Sequence, residues 1–208
     1  LNYPVYLLCG RLLYEFYSQA TKRAMRSIRN SASVIKKVYV PKYIYPMANV
    51  TSNFITFLIS LLVLVFVMGY YLIFTDTAMR LTPYIFLSFV PIIILFVLCV
   101  GVGMILCTME VFFKDVEYMY EVFCMLLFYA TPIFYDVETL RITNKYAQYA
   151  LMANPLYSIV SMFRDCVLFG RAMNPHHIIY SAVFSIVMLL VGAVSYTHLR
   201  AHETRSNL

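Results

Sequence analysis

The 208-residue chain is 62% hydrophobic and 12% charged, against about 45–50% and about 25% in soluble domains, so a wholly water-facing surface is excluded and a bilayer is the natural solvent. The net charge of +6 is unevenly spread, with seven cations and no acid in residues 22–42. That distribution argues against a nucleic-acid partner and marks a cytoplasmic loop, because basic residues beside spans stay inside.

The first segment, Leu1 to about Ala20, is apolar except for Arg11 and Glu15. The chain opens on LNYPVYLLCG, read as a helix already under way in a fragment lacking its natural N-terminus. Arg11 and Glu15 stand four apart, so they share a helix face and can pair. An unpaired charge at mid-membrane costs about 2.5–3.5 kcal/mol on insertion scales. Either the two lie deep and face the protein interior or a hydrated path, or they lie near an interface.

After the basic loop, no charge falls between Lys42 and Asp76, nor between Arg80 and Glu110. Each run holds the roughly 20 apolar residues that a spanning helix needs. They predict an outward span at about Pro46–Phe74, an external turn at Thr75–Thr82 and a return at Pro83 to about Thr108. EVFFKDVE (110–117) then lies at the cytoplasmic face, its acids read as solvated loop charges. A fourth span runs from about Tyr118 to Tyr135 and exits near TPIFYD. Tyrosines such as Tyr43, Tyr70, Tyr84 and Tyr118 fall at span ends, where an amphipathic ring has one apolar side and one wet end.

The outer stretch contains NPLYSIVSMFRDCVLFG (154–170). Asn154 is a good N-cap and Pro155 suits the first helical position. Leu156, Ile159, Val160, Phe163 and Val167 follow one apolar helix face, and Gly170 can close the helix. Too short to cross, it should lie in the interface or dip in from outside. ETLRITNKYAQYALM before it predicts a second short helix. The last span, about His176 to Ser195, returns to the cytoplasm. The expected fold is all-α: about five transmembrane helices plus short external re-entrant helices.

Catalytic chemistry is scarce. None of the six glycines precedes a lysine, so the phosphate-cradling G-x-x-x-x-G-K-[ST] loop is missing. GVG (101–103) lies inside an apolar helix, where small residues serve close packing. The five cysteines form no C-x-x-C pair and read as buried free thiols; no metal site and no catalytic residue is expected.

The loop N-x3-V-I-K-K-x2-V-P-K-x-I-x-P, Asn30 to Pro46, resembles the cytoplasmic loop of type 2 ABC transporter permeases, particularly those exporting polysaccharide or polyol phosphate of the O-antigen and teichoic acid type. VFFKD (111–115) is similar to the family's aromatic-Arg-Asp motif, with Lys114 for Arg. TPIFY (131–135) resembles its outer (Ser/Thr)-Pro-Ile-x-Tyr. Asn154-Pro155 with Arg164 resembles its external short helix. GRLLYEFYS (10–18) is like the opening of the family's second span, with Tyr14 where Trp is usual.

The resemblance covers about residues 1–194 and implies a six-span family fold of which a leading segment and first span are missing. It implies a homodimer in the bacterial cytoplasmic membrane, in contact with lipid and a glycan substrate. A separate ABC ATPase subunit would bind ATP and Mg, and this chain would carry no cofactor. A coupling helix docked on the ATPase is implied at about Ser31–Val38, within the set Asn30, Ser31, Val34, Ile35, Lys36, Lys37, Val38, Pro41 and Lys42. Phe113, Lys114 and Asp115 form the cytoplasmic motif. Pro132, Tyr135, Asn154, Pro155 and Arg164 belong to an external gate. SYTHLRAHETRSNL (195–208) departs from the family and looks like a non-native, adapter-derived tail. Within the fold, export of a drug or other lipid is the rival reading. Outside it, a membrane glycosyltransferase would need the acids of EVFFKDVEYMYE (110–121) to act together.

Overall fold

The computed structural model describes residues 3–35, 37, 41, 43–74, 83–133 and 151–206, excepting the side chains of 34, 35 and 198–206. Among the described residues every regular element is helical: α1 Tyr3–Met25, α2 Ser27–Asn30, α3 Ala32–Ile35, α4 Ile44–Phe74, α5 Phe89–Phe112 (led by a 3₁₀ turn at Pro83–Ser88), α6 Val116–Ala130, α7 Pro155–Arg164 and α8 Pro175–Ser206. The external turn at 75–82 and the second short outer helix, apart from Leu151 and Met152, lie outside the described residues.

Among the described residues three elements are long and apolar enough to cross a membrane: Ile44–Phe74, Pro83–Phe112 and Pro175–Thr197. Helix α1 has the length but carries Arg11, Glu15, Lys22 and Arg23. Helix α6 runs 15 residues, about 22 Å at 1.5 Å per residue. It stops because Thr131 turns extended (φ −89°, ψ 123°) before Pro132, as a residue preceding proline does.

Although α1 is among the more polar of the long helices, it is central. Val5, Cys9, Leu13, Phe16, Ala20 and Ala24 recur every three or four residues and are all buried, facing α4 and α5. Lipid tails are as apolar as leucine, so van der Waals fit and small residues hold such helices together. GVG serves that purpose on two sides. A Cβ at Gly101 would stand 2.6 Å from Leu189 N on α8, and one at Gly192 would stand 2.6 Å from Gly101 O. A Cβ at Gly103 would stand 2.8 Å from that of Ala24 on α1. All five cysteines are free and buried.

The outer helix follows its sequence pattern. Asn154 Oδ1 accepts from Leu156 N at 3.0 Å, Pro155 opens α7, and Leu156, Ile159, Val160, Phe163 and Val167 are buried. The last turn widens into a π-helix, Asp165–Phe169, closed by Gly170 in the left-handed region at φ 56°, a conformation that costs glycine little.

In the loop after α1, Ala32–Ile35 of the expected 31–38 helix is helical, while Lys36 and Val38 lie outside the described residues. Helical geometry continues past Met25: Asn30 N donates to Arg26 O at 3.0 Å and Ser31 N to Ser27 O at 3.1 Å. Asn30 is therefore the last residue of α2, and Ser31 separates it from the single turn α3. The cause is a set of tethers from this segment to α5 and α6.

Candidate functional site

Chemistry-bearing side chains gather at the two ends of the bundle. At one end, where the basic loop meets the α5–α6 turn, Arg26 Nη2 lies 2.6 Å from Glu117 Oε1 and 3.0 Å from Glu121 Oε1. Arg29 Nη2 lies 2.7 Å from Glu117 Oε2. Arg29 Nη1 stands 3.0 Å from Glu110 Oε1, an ionic contact out of line for a hydrogen bond. Exposure grades across the cluster: the Arg29 side chain is 48% exposed, Arg26 35%, Glu117 17% and Glu110 5%. The outer pairs contribute about 0.2–1 kcal/mol each; Glu110, taken from solvent, depends far more on its partner.

The acids of 110–121 are thus not solvated loop charges, with the exception of Asp115. Two arginines three apart on one segment meet carboxylates spaced seven and four apart on another, and that complementary spacing is the signal in the sequence that would have revealed them. The hydrogen bond from Arg29 holds the Glu117 carboxyl below its ordinary pKa, and Glu117 raises Arg29 in turn. Beneath the cluster, Ser27 Oγ and Cys107 Sγ are 3.4 Å apart. Tyr120 Oη donates to Thr21 Oγ1 at 2.8 Å, tying α6 to α1. Tyr14 Oη also donates to Cys124 O.

The cytoplasmic motif sits in the same turn. Phe113 caps α5, its N–H on Met109 O at 2.9 Å. Asp115 starts α6 without a side-chain capping bond. Phe113, Lys114 and Asp115 are exposed. Of the coupling set, Lys37 and Pro41 are exposed. Lys36, Val38 and Lys42, with the side chains of Val34 and Ile35, lie outside the described residues.

At the opposite end, Arg164 is 5% exposed and bonds one of the other residues expected at the gate, Pro132. Its Nη1 donates to Tyr6 Oη at 2.9 Å and to Pro132 O at 2.8 Å. Its Nη2 donates to Ile133 O at 3.0 Å and to Tyr6 O at 3.3 Å. The guanidinium also lies over the Tyr6 ring, 3.7 Å from its centroid. Asn154 Nδ2 reaches Thr131 Oγ1 at 3.1 Å. Breaking α6 at Thr131-Pro132 leaves carbonyls without a helical partner, and a planar fork of five donors suits several of them at once. Gly10 makes room: a Cβ there would collide with Arg164 Nη2. Tyr135 lies outside the described residues.

Arg11 and Glu15 stand apart from both clusters. Arg11 and Glu15 are exposed on α1, and Glu15 Oε1 accepts from Gln19 Nε2 at 3.0 Å. No ion pair joins Arg11 to Glu15 among the described residues. No group of three or more His, Cys, Asp or Glu able to hold a metal occurs among them.

Comparison with known proteins agrees with this arrangement. The sequence profile of the family described as ABC-2 type transporter matches residues 2–168. The chain is 27% identical over 202 residues to the O-antigen export system permease protein RfbA of Klebsiella pneumoniae, covering 96% of this chain and 73% of that protein. It is 24% identical over 190 residues to the protein of the same name from Myxococcus xanthus, covering 90% and 70%. To the polysialic acid transport protein KpsM of Escherichia coli it is 23% identical over 203 residues, covering 94% and 73%.

Proposed function

The chain belongs to the ABC-2 type transporter family, and from that premise we propose that it is the permease subunit of a bacterial polysaccharide exporter. It is a multi-pass membrane protein of an ABC transporter system, which pairs a permease with an ATPase. In this reading it works in the cytoplasmic membrane as a homodimer, with the basic loop inside and α7 outside. ATP and Mg are bound and hydrolysed by the partner subunit. The observation that carries the reading is similarity along nearly the whole chain to proteins named for O-antigen export and polysialic acid transport.

The bundle then has one task for each end. At the loop end, Arg26 and Arg29 clamp the root of the coupling segment onto α5 and α6 through Glu110, Glu117 and Glu121. A push on residues 30–38 by the ATPase is delivered through charged, short contacts to the helix turn that carries Phe113, Lys114 and Asp115. At the far end, Arg164 fixes α7 against the end of α6 and the start of α1, so the gate elements respond as one unit.

The test is complementation of a polysaccharide-export mutant by this chain with its cognate ATPase. Wild type restores surface polysaccharide and co-purifies with the ATPase. Val34→Asp with Ile35→Asp keeps all seven cations, so membrane levels hold while both co-purification and export fall. Normal ATPase capture and export by the double variant would overturn the coupling role of this segment.

A further inference from the structure

Helices α1 and α4 leave a groove of about 120 Å³ open on their outward side. Glu15 and Gln19 form one wall, Asn53, Thr56 and Ser60 the other. The stacked rings of Phe16 and Phe57, with centroids 4.8 Å apart, lie at its base. Along α1, Glu15 is about 18 Å from Tyr3 and about 15 Å from Met25; along α4, Thr56 is about 18 Å from Ile44. Glu15 is only about 10 Å from Lys22, so the groove lies within the span, in the half nearer the basic loop, where a carboxylate facing hydrocarbon is still disfavoured.

The rest of the outward face of α4 is different: Ile55, Ile59, Leu62, Val63 and Phe66 are exposed and wholly apolar, as lipid contact requires. From Asn53 to Ser60, the polar residues of α4 lie on the strip beside α1. Both hydroxyl donors, and one of the two N–H donors of each amide, are already used within the protein. Thr56 Oγ1 donates to Ser52 O at 3.3 Å and Ser60 Oγ to Thr56 O at 3.1 Å. Asn53 Nδ2 donates to Asn49 O at 2.7 Å, and Gln19 Nε2 to Glu15 Oε1. What remains facing the groove is chiefly acceptors: carboxylate, amide and hydroxyl oxygens. Arg11, one turn farther along the exposed face of α1, does not line it.

We propose that this groove binds the hydroxyl groups of a neutral glycan segment within the membrane, in the half nearer the basic loop. This deepens the permease reading and rests on it. An acceptor-lined wall bearing a carboxylate takes hydroxyl donors and rejects phosphate- or carboxylate-bearing polymer, so it selects neutral sugar over polyol phosphate. Two walls of oxygens over an aromatic base match a sugar's hydroxyl edge and its apolar face.

Three measurements test this in membranes holding the permease with its ATPase. Ser60→Cys and Thr56→Cys react with a charged, water-borne thiol reagent, while Ile59→Cys and Val63→Cys, on the lipid side, do not. Maltoheptaose at millimolar concentration slows modification of Ser60→Cys about five-fold or more, and oligo(glycerol phosphate) leaves it unchanged. Thr56→Val with Ser60→Ala removes two acceptors and lowers export of a neutral polysaccharide by about five-fold or more, at about five-fold per lost hydrogen bond of ordinary strength, with ATPase capture intact. Absence of aqueous modification, disulfide formation between two copies at Ser60→Cys, or protection by the anionic oligomer alone would each overturn the proposal. A wild-type chain that fails to restore export sinks the permease reading; restored export with an unaffected Thr56→Val, Ser60→Ala variant sinks only the groove.

Discussion

Replacing Arg164 by alanine removes a buried side chain that makes four hydrogen bonds where α7 meets α1 and the end of α6. Four hydrogen bonds from one buried guanidinium, to Tyr6 Oη, Tyr6 O, Pro132 O and Ile133 O, disappear together. A hydrogen bond involving a charged group contributes about 1.5–3 kcal/mol, but bonds sharing one donor group do not add. A loss of about 3–5 kcal/mol is therefore expected, in the range of breaking a buried network. For a chain of this size it corresponds to roughly 6–20 °C in apparent melting temperature, at about 2–4 °C per kcal/mol. Arg164→Lys keeps the charge but cannot span Tyr6 and both carbonyls from one nitrogen, so it recovers at most half. Gly10→Ala should act through the same group, because its Cβ collides with Nη2 of a guanidinium that its bonds hold in place; overpacking of this kind costs about 1–3 kcal/mol. In an Arg164→Ala background the collision is gone and Gly10→Ala costs under about 0.5 kcal/mol, the margin within which independent sites add. The five buried thiols supply the assay: a thiol-reactive fluorophore reports unfolding of the detergent-solubilised chain on heating. Additivity of Gly10→Ala and Arg164→Ala, or a shift below about 2 °C for Arg164→Ala, would refute the argument.

The Glu117 carboxyl titrates below its ordinary value, so the stability it contributes is present above the ordinary carboxylate pKa and is lost as pH falls through the lowered folded value. Melting followed from neutral pH down to about 3 should show Glu117→Gln less stable than wild type at neutral pH and converging with it in acid; parallel curves would remove the linkage. Gly101→Leu must push α5 and α8 apart against backbone atoms, and is expected to cost about 1–3 kcal/mol, or about 2–12 °C; an unchanged melting temperature would show that the contact can relax. With the proposed orientation, Ser33→Cys is labelled by an impermeant thiol reagent only from the cytoplasmic side and Arg171→Cys only from outside; labelling of Ser33→Cys in intact cells reverses the topology.

Local signals were legible in the sequence and distant ones were not. The cap, the proline and the apolar face of α7 are encoded within 17 residues of chain, and each takes its expected place. The packing role of GVG could be read because an apolar helix offers glycine little else to do. The arginine–carboxylate clamp was missed: its partners stand 81 to 95 residues apart, and each half taken alone has a sufficient explanation, topology for the cations and hydration for the acids. The helical winding at 27–30 was missed for the same reason, since its tethers belong to another part of the chain. Glu15 and Arg11 could not be placed from the sequence because depth and facing depend on the register of α1 against α4 and α5. Arg164 was singled out, but its role depends on carbonyls freed 31 and 32 residues earlier.

The glycines of α5 have a mechanical consequence. Gly101 seats the helix against α8 and Gly103, two residues on, seats it against α1. A helix keyed on opposite sides within one turn can neither roll nor slide past one neighbour without colliding with the other, so α1, α5 and α8 behave as one stiff slab. Helix α6 is attached otherwise: Tyr14 to Cys124, Tyr120 to Thr21, the arginine clamp at its foot and the Arg164 anchor just past its end. These are pivots, discrete bonds that can be exchanged one for another while the helix swings. Among the described helices compliance is thus greatest in α6, so a displacement of the segment after α1 would move the foot of α6 before it could deform the slab of α1, α5 and α8.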